Sequence, residues 1–247
     1  KNKEYIVEII DNGFEGEGIA KLEGFTIFIP NAIKGETVKI LIVKVLKSHA
    51  FGKIIEIIKA DKSRIESDCT TYKRCGGCDL RHIKYEETLK IKQNAVQSLV
   101  NKTLKNKIKV QETLGMENPY YYRNKAQYPV GINKEGKATI GVFANRTHEI
   151  IPIETCFIQN KKSQELARNI VEFINKNNIS IYNEKTQKGL IRHIVTKVGI
   201  KTNEIMCIIV INGKNIKNVK VNGKYAIIMG NEGNGVRENI KNLSDEK

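Results

Sequence analysis

The sequence predicts a mixed architecture: an OB-like β-barrel over residues 1–60, an α+β domain over 61–215, and a short strand–loop–helix segment over 216–247. Three observations carry that reading. Before residue 60, short runs rich in β-branched and aromatic residues follow one another with no helical period. A polar, cysteine-bearing stretch then intervenes, too poor in apolar residues to pack a core by itself. Beyond it, helical and strand patterns are mixed.

The predicted strands of the first part are EYIVEII, FTIFIP, TVKILIVKVL and FGKIIEII, punctuated by Gly13, Gly16, Gly18, Gly24 and Gly35. Alternation places Val38, Ile40 and Ile42 on one face and Lys39 on the other; Lys44 breaks the pattern and marks a bend or bulge. Phe14, Phe25, Phe28 and Phe51 are expected mostly in the core of so small a barrel. After the polar stretch, KYEETLKIKQNAVQSLVNK reads as an amphipathic helix, with Tyr85, Leu89, Val96, Leu99 and Val100 near helical spacing. Strands ATIGVF, LIRHIVTKV and EIMCIIVI follow, with a helix over about Ser163–Asn175.

The 247 residues carry a formal net charge of +15. Such a balance favours a polyanion, because Lys and Arg near phosphates gain from counterion release. A lysine-rich, AT-biased genome is the bland alternative. No run approaches the roughly 18 apolar residues that cross a bilayer, and KNKEYIVEII is a strand pattern rather than a signal peptide. The chain lacks an initiator methionine, which suggests a window on a longer protein. An odd count of five cysteines, three of them clustered, without an export signal points to a reducing cytoplasm and to metal ligation. Arg123, Asn124 and Lys125 in YYRNKAQYP, a fork, an amide and a point charge in succession, read by themselves as a solvated strand edge or as phosphate and base contacts, and Lys21 and Lys44 on the barrel are phosphate candidates. Lys39, Lys47 and Lys53 are further phosphate candidates, and aromatic rings beside a basic groove would stack single-stranded bases.

The most specific pattern is CTTYKRCGGC, a C-x5-C-x2-C spacing formed by Cys69, Cys75 and Cys78. Gly76 and Gly77 suit the turn by admitting backbone conformations closed to other residues, and Cys156, far downstream in IPIETCFIQN, is the candidate for a distant fourth ligand. Four thiolates hold either structural zinc or an iron–sulfur cluster, and spacing leaves both open. Cys207, within IMCIIVI, reads as a core residue, and His148 and His193 as structural.

CTTYKRCGGCDLRHIKYEETLKIKQ resembles the cluster segment of bacterial ribosomal RNA uracil-C5 methyltransferases, with Leu80, His82, Ile83 and Tyr85 matching. DNGFEGEGIAKLEGFTIFIPNAIKGETV resembles their TRAM domain; YYRNKAQYPVG, GVFANRTHEIIPIETCFIQ and GLIRHIVTKVG extend the likeness over about residues 1–213. The resemblance implies a [4Fe-4S] cluster on Cys69, Cys75, Cys78 and Cys156, a hydrogen-bonding or packing role for His82, ribosomal RNA as partner, and neither membrane nor DNA. It also implies S-adenosylmethionine as methyl donor, bound in a C-terminal Rossmann-like domain. Since no glycine-rich strand–turn–helix of that kind and no spare reactive cysteine is seen, the catalytic domain is expected to be absent or incomplete. The chain then reads as a non-catalytic RNA-recognition portion with no catalytic residue of its own.

The tail KYAIIMGNEGNGVRENIKNLSDEK resembles instead the cofactor motif of SPOUT-type RNA 2′-O-methyltransferases, with Asn231, Glu232, Gly233 and Gly235 as cofactor contacts. That places a join near Gly213–Lys220. Two alternatives accompany the main expectation: a stand-alone, metal-stapled RNA-binding module, and a chimeric or truncated SPOUT-type enzyme.

Overall fold

The computed structural model describes residues 1–104 and 108–213, and the backbone of 227–230. Its two compact units are Lys1–Tyr72 with Cys78–Asn118, and Lys73–Gly77 with the chain from Pro119 onward. Among the described residues no helix is long and apolar enough to cross a membrane.

The first unit is built on β1 (Glu4–Glu8), β2 (Asp11–Asn12), β3 (Gly18–Leu22), β4 (Phe25–Ile29), β5 (Thr37–Val45) and β6 (His49–Lys59). They form one sheet in the order β1-β5-β6-β4-β3-β2, antiparallel throughout except between β4 and β6. Alternation drives it: Val38, Ile40 and Ile42 point inward with Val7, Ile9, Ala20, Ile27, Ile29 and Ala50 to make the core. Each Ile or Val so enclosed contributes about 1.5–3 kcal/mol. The predicted irregularity appears where the β5–β6 register shifts between Ile42 and Lys44. Gly16, Gly24 and Gly35 adopt positive φ in the turns.

One charged group lies inside this unit. Glu36 is 0% exposed. Its carboxylate accepts the N–H groups of Ile33 at 2.9 Å and Asp61 at 3.3 Å, and Arg64 donates Nε at 2.5 Å and Nη2 at 2.7 Å. Arg64 also donates to the Asn31 carbonyl and bridges to Ile83. The turn after β4 is thereby fastened to the polar stretch after β6.

Helix α1 (Tyr85–Thr103) belongs to the same unit. Its acidic first turn, Glu86 and Glu87, suits the helix dipole. The face it buries differs from the expected one: Thr88 and Ile91 are buried, whereas Val96 and Leu99 are exposed. The reason is the partner. Ile91 joins a small cluster with Ile33 and Ile83, while further along the helix side-chain amides hold an extended segment. Gln97 bonds the backbone of Ile108 and Val110, and Gln93 that of Val110.

The second unit comprises β7 (Lys125–Ile132), β8 (Ala138–Phe143), β9 (Ile150–Pro152), α2 (Lys161–Lys176), β10 (Ile191–Val198), β11 (Ile205–Ile211) and β12 (Ile227–Gly230). The sheet order is β12-β11-β10-β7-β8-β9, with only β11 and β12 parallel. Helix α2 lays Ala167, Val171 and Ile174 against Tyr128, Val130, Ile140 and Ile194. Asn160 caps it by accepting the Lys162 N–H. At Gly141 an added Cβ would stand 2.4 Å from Ile150, so only glycine lets β9 approach so closely.

Candidate nucleic-acid interface

In the first unit the predicted phenylalanines are not core residues. Phe14 is 73% exposed and Phe25 is also exposed, while Phe28 and Phe51 are half-buried on the outer face of the sheet. Register explains it: Ile27 and Ile29 take the inward positions of β4, so Phe28 between them points out. Phe28 lies directly opposite Phe51, which lies opposite Lys44; in the next outward row Lys21 faces Thr26 and Thr26 faces His49. The rings of Phe28, His49 and Phe51 gather with centroids 5.2–6.0 Å apart. The sheet therefore presents three rings flanked by the exposed lysines 21 and 44, the arrangement by which unpaired bases and their phosphates are held. Lys39 is instead engaged by Glu4 at 2.8 Å, and that partnership raises its pKa.

In the second unit Arg123, Asn124 and Lys125 are all exposed, although their backbone is firmly held. Arg123 donates its N–H to Ile158 and accepts from Asn160, and the Asn124 carbonyl accepts from Val198. Lys125, at the start of β7, faces Lys197 on β10. Two like charges directly opposite on paired strands repel, and an anion would relieve them.

Cys69 and Cys78 lie in the first unit, Cys75 and Cys156 in the second, each half-buried. Gly77 donates its N–H to the Cys75 sulfur at 3.3 Å. Neither Gly76 nor Gly77 has a positive φ; what they provide is room, since a Cβ on Gly76 would stand 3.3 Å from the Asn145 backbone and one on Gly77 3.3 Å from the Cys75 sulfur. Gln164, buried at the start of α2, clamps Cys156 by accepting its N–H at 2.7 Å and donating to its carbonyl at 2.8 Å. Among the described residues, no group of three or more Cys, His, Asp or Glu is placed to hold a metal ion.

His82 packs and hydrogen-bonds as expected. It is buried, with Nδ1 2.6 Å from the Tyr72 hydroxyl and Nε2 without a hydrogen-bond partner among the described residues. Burial, reinforced by the Arg64 charge and opposed by Glu36, lowers its pKa to about 4. Burial, aided by the charges of Asp79 and Cys78, raises the Tyr72 phenol to about 12. Cys207 sits in the core of the second unit, and burial pushes its thiol up to about 11. His193 is buried edge-on to Phe143, and His148 is exposed beside Glu184. The expected cofactor contacts Asn231, Glu232, Gly233 and Gly235 lie outside the described residues. Residue-by-residue reading missed His49, Phe157 and Lys161; the single aromatic Phe28 at an outward position of FTIFIP was the available signal for the first surface.

Residues 1–55 match the TRAM domain family. An uncharacterized RNA methyltransferase of Clostridium acetobutylicum is 41% identical over all of this chain and 54% of its own length. Another, from Clostridium tetani, is 43% identical over 87% of this chain and 47% of its own. The chain thus spans about half the length of the curated relatives it matches. Among solved structures, the tRNA (uracil-54, C5)-methyltransferase of Pyrococcus abyssi, in complex with S-adenosyl-L-homocysteine, superposes with a TM-score of 0.64 over 91% of this chain and 50% of that one. At 22% identity that likeness is one of fold.

These matches correct the expected architecture and role. A catalytic domain absent or incomplete, a non-catalytic recognition portion, a stand-alone module and a chimera all presuppose a break in the methyltransferase likeness after about residue 213. There is none: the C. acetobutylicum alignment runs through residues 216–247, and half of the P. abyssi chain superposes on nine-tenths of this one. The chimera reading came from a glycine-rich sequence, a feature too short and too common to identify a family by itself, and the absent-domain reading from the lack of a recognisable glycine-rich strand–turn–helix and of a spare reactive cysteine.

Proposed function

We propose that this protein is an S-adenosylmethionine-dependent RNA methyltransferase acting at C5 of uracil. The observation that carries the reading is the 41% identity to an RNA methyltransferase along the entire chain. The TRAM match and the fold shared with a uracil-C5 enzyme point the same way. Carbon 5 of uracil accepts a methyl group only after a nucleophile adds at C6. Methyl transfer then leaves S-adenosylhomocysteine, and loss of the C5 proton expels the nucleophile. The residues described here serve the RNA: Lys21 and Lys44 with Phe28, His49 and Phe51 on the first sheet, and Arg123, Asn124 and Lys125 in the second unit. Affinity should fall as salt rises, because phosphate contacts release counterions.

Ribosomal RNA is the substrate to which the sequence resemblance leads. The test supplies ribosomal RNA and transfer RNA transcripts labelled with tritium at C5 of uridine, together with S-adenosylmethionine. Donor-dependent release of tritium is expected from the ribosomal transcript. Methyl incorporation without tritium release would overturn the C5 assignment, and release from transfer RNA alone would overturn the choice of RNA. The [4Fe-4S] reading of Cys69, Cys75, Cys78 and Cys156 rests on spacing and resemblance, and no step above runs through a cluster. Anaerobic purification decides it: about four irons and a brown absorption band per chain support the cluster, and iron-free protein removes it.

A further inference from the structure

The second unit holds an aromatic group that its core does not use. Tyr120, Tyr121 and Phe157 form a triangle with ring centroids 6.2–6.3 Å apart. None belongs to the apolar cluster beneath α2, and Tyr120 is 42% exposed. The rings are held by backbone: Tyr121 donates its N–H to Phe157 at 2.8 Å, and Arg123 donates to Ile158 at 2.9 Å, fastening the two segments together. Tyr121 takes φ of +55° to do so, a conformation a tyrosine rarely adopts. Lys161 sits over the Tyr121 ring, 4.6 Å from its centroid.

The charge around these rings is one-sided. Residues 119–127 and 157–164 contain four cations, Arg123, Lys125, Lys161 and Lys162, and no carboxylate. Lys161 and Lys162 stand in the first turn of α2, which has no acidic residue, so both oppose the helix dipole. Lys125 faces Lys197 across the sheet. Gln159, 7% exposed and bridged to Arg123, has a side-chain oxygen with no hydrogen-bond partner among the described residues. Folding alone would select none of these features: a strained tyrosine, cations against a dipole, paired lysines, an unsatisfied amide. A ligand with a flat apolar face and a negative backbone would make use of the rings and of the cations.

We propose that Tyr120, Tyr121 and Phe157, with Lys161 and Arg123, form a seat for an unpaired base of single-stranded RNA. The base stacks on Tyr120 and Phe157 while its flanking phosphates lie against the cations. The seat rests on the reading of the protein as RNA-binding, and adds to it a second set of contacts that requires the strand to be unpaired.

The absence of tryptophan from the chain gives a clean reporter. Oligouridylate and a duplex RNA of equal length are titrated against the whole protein and against Tyr120→Trp, Tyr120→Ala and Arg123→Gln, each first checked for a native melting curve. Tyr120→Trp should bind oligouridylate as well as wild type and lose fluorescence on binding. Tyr120→Ala should bind about tenfold more weakly with an unchanged salt slope, and Arg123→Gln should lower that slope by about one. A tryptophan unquenched by bound oligouridylate, or an alanine variant that binds like wild type, overturns the seat and leaves the RNA reading standing. Wild-type protein that binds neither RNA overturns the RNA reading itself.

Discussion

Arg64→Met tests the buried charge in the first unit. The Glu36 carboxylate accepts four hydrogen bonds, two of them from Arg64, and has no exposure to water. Removing the guanidinium leaves a buried anion with two backbone donors and no countercharge, which costs about 3–5 kcal/mol. Domain stabilities run to about 5–15 kcal/mol, so the loss is a large fraction of the whole. It should lower the melting temperature of the first unit on the order of 10–20 °C. Thermal and urea unfolding followed by circular dichroism measure it. The double variant Glu36→Gln with Arg64→Met should lose less than Arg64→Met alone, because the neutral amide still accepts from backbone without an uncompensated charge. A single variant within about 1 kcal/mol of wild type, or a double variant no better than the single, would refute the assignment of Arg64 as the partner that makes this burial tolerable.

The depressed pKa of His82 has a definite sign. Between its folded value of about 4 and the unfolded value near 6.5, the unfolded chain binds the extra proton, so stability rises with pH across that window. Going from pH 7 to pH 5 should lose about 2 kcal/mol, and His82→Gln should flatten the dependence. Cys207, buried with a raised pKa, should resist iodoacetamide at pH 8 in iron-free native protein while the four half-buried cysteines react; equal rates would refute its burial. Gln164→Leu removes both bonds to the Cys156 backbone and should destabilise the second unit by about 2–4 kcal/mol while speeding alkylation of Cys156, read by mass spectrometry.

What could be read from the sequence was whatever local period controls. Val38, Ile40 and Ile42 alternate because one face of β5 is buried, and α2 announces itself through the spacing of Ala167, Val171 and Ile174. The face of α1 could not be read, because its partner segment is held by Gln93 and Gln97 rather than by apolar contact. Glu36 follows glycine in a turn and looks solvated; only a residue 28 positions away makes it a core group. The phenylalanines were misplaced because inward and outward positions depend on strand register. Thiol spacing was plain from the sequence, but whether distant sulfurs share an ion depends on tertiary placement.

The lone parallel pairing in the first sheet also bears on how that sheet assembles. Two local ribbons, β2–β3–β4 and β5–β6, need only short connections to zip up, whereas the seam between them joins Thr26 to His49, Ile27 to Ala50 and Phe28 to Phe51. Closing it demands a wider loop, so it should form late, after each ribbon has its own register. The rings that would greet a nucleotide are therefore stitched across a joint that closes after its two ribbons. Substitutions there should quicken unfolding more than they slow refolding, a kinetic trace separable from any effect on RNA.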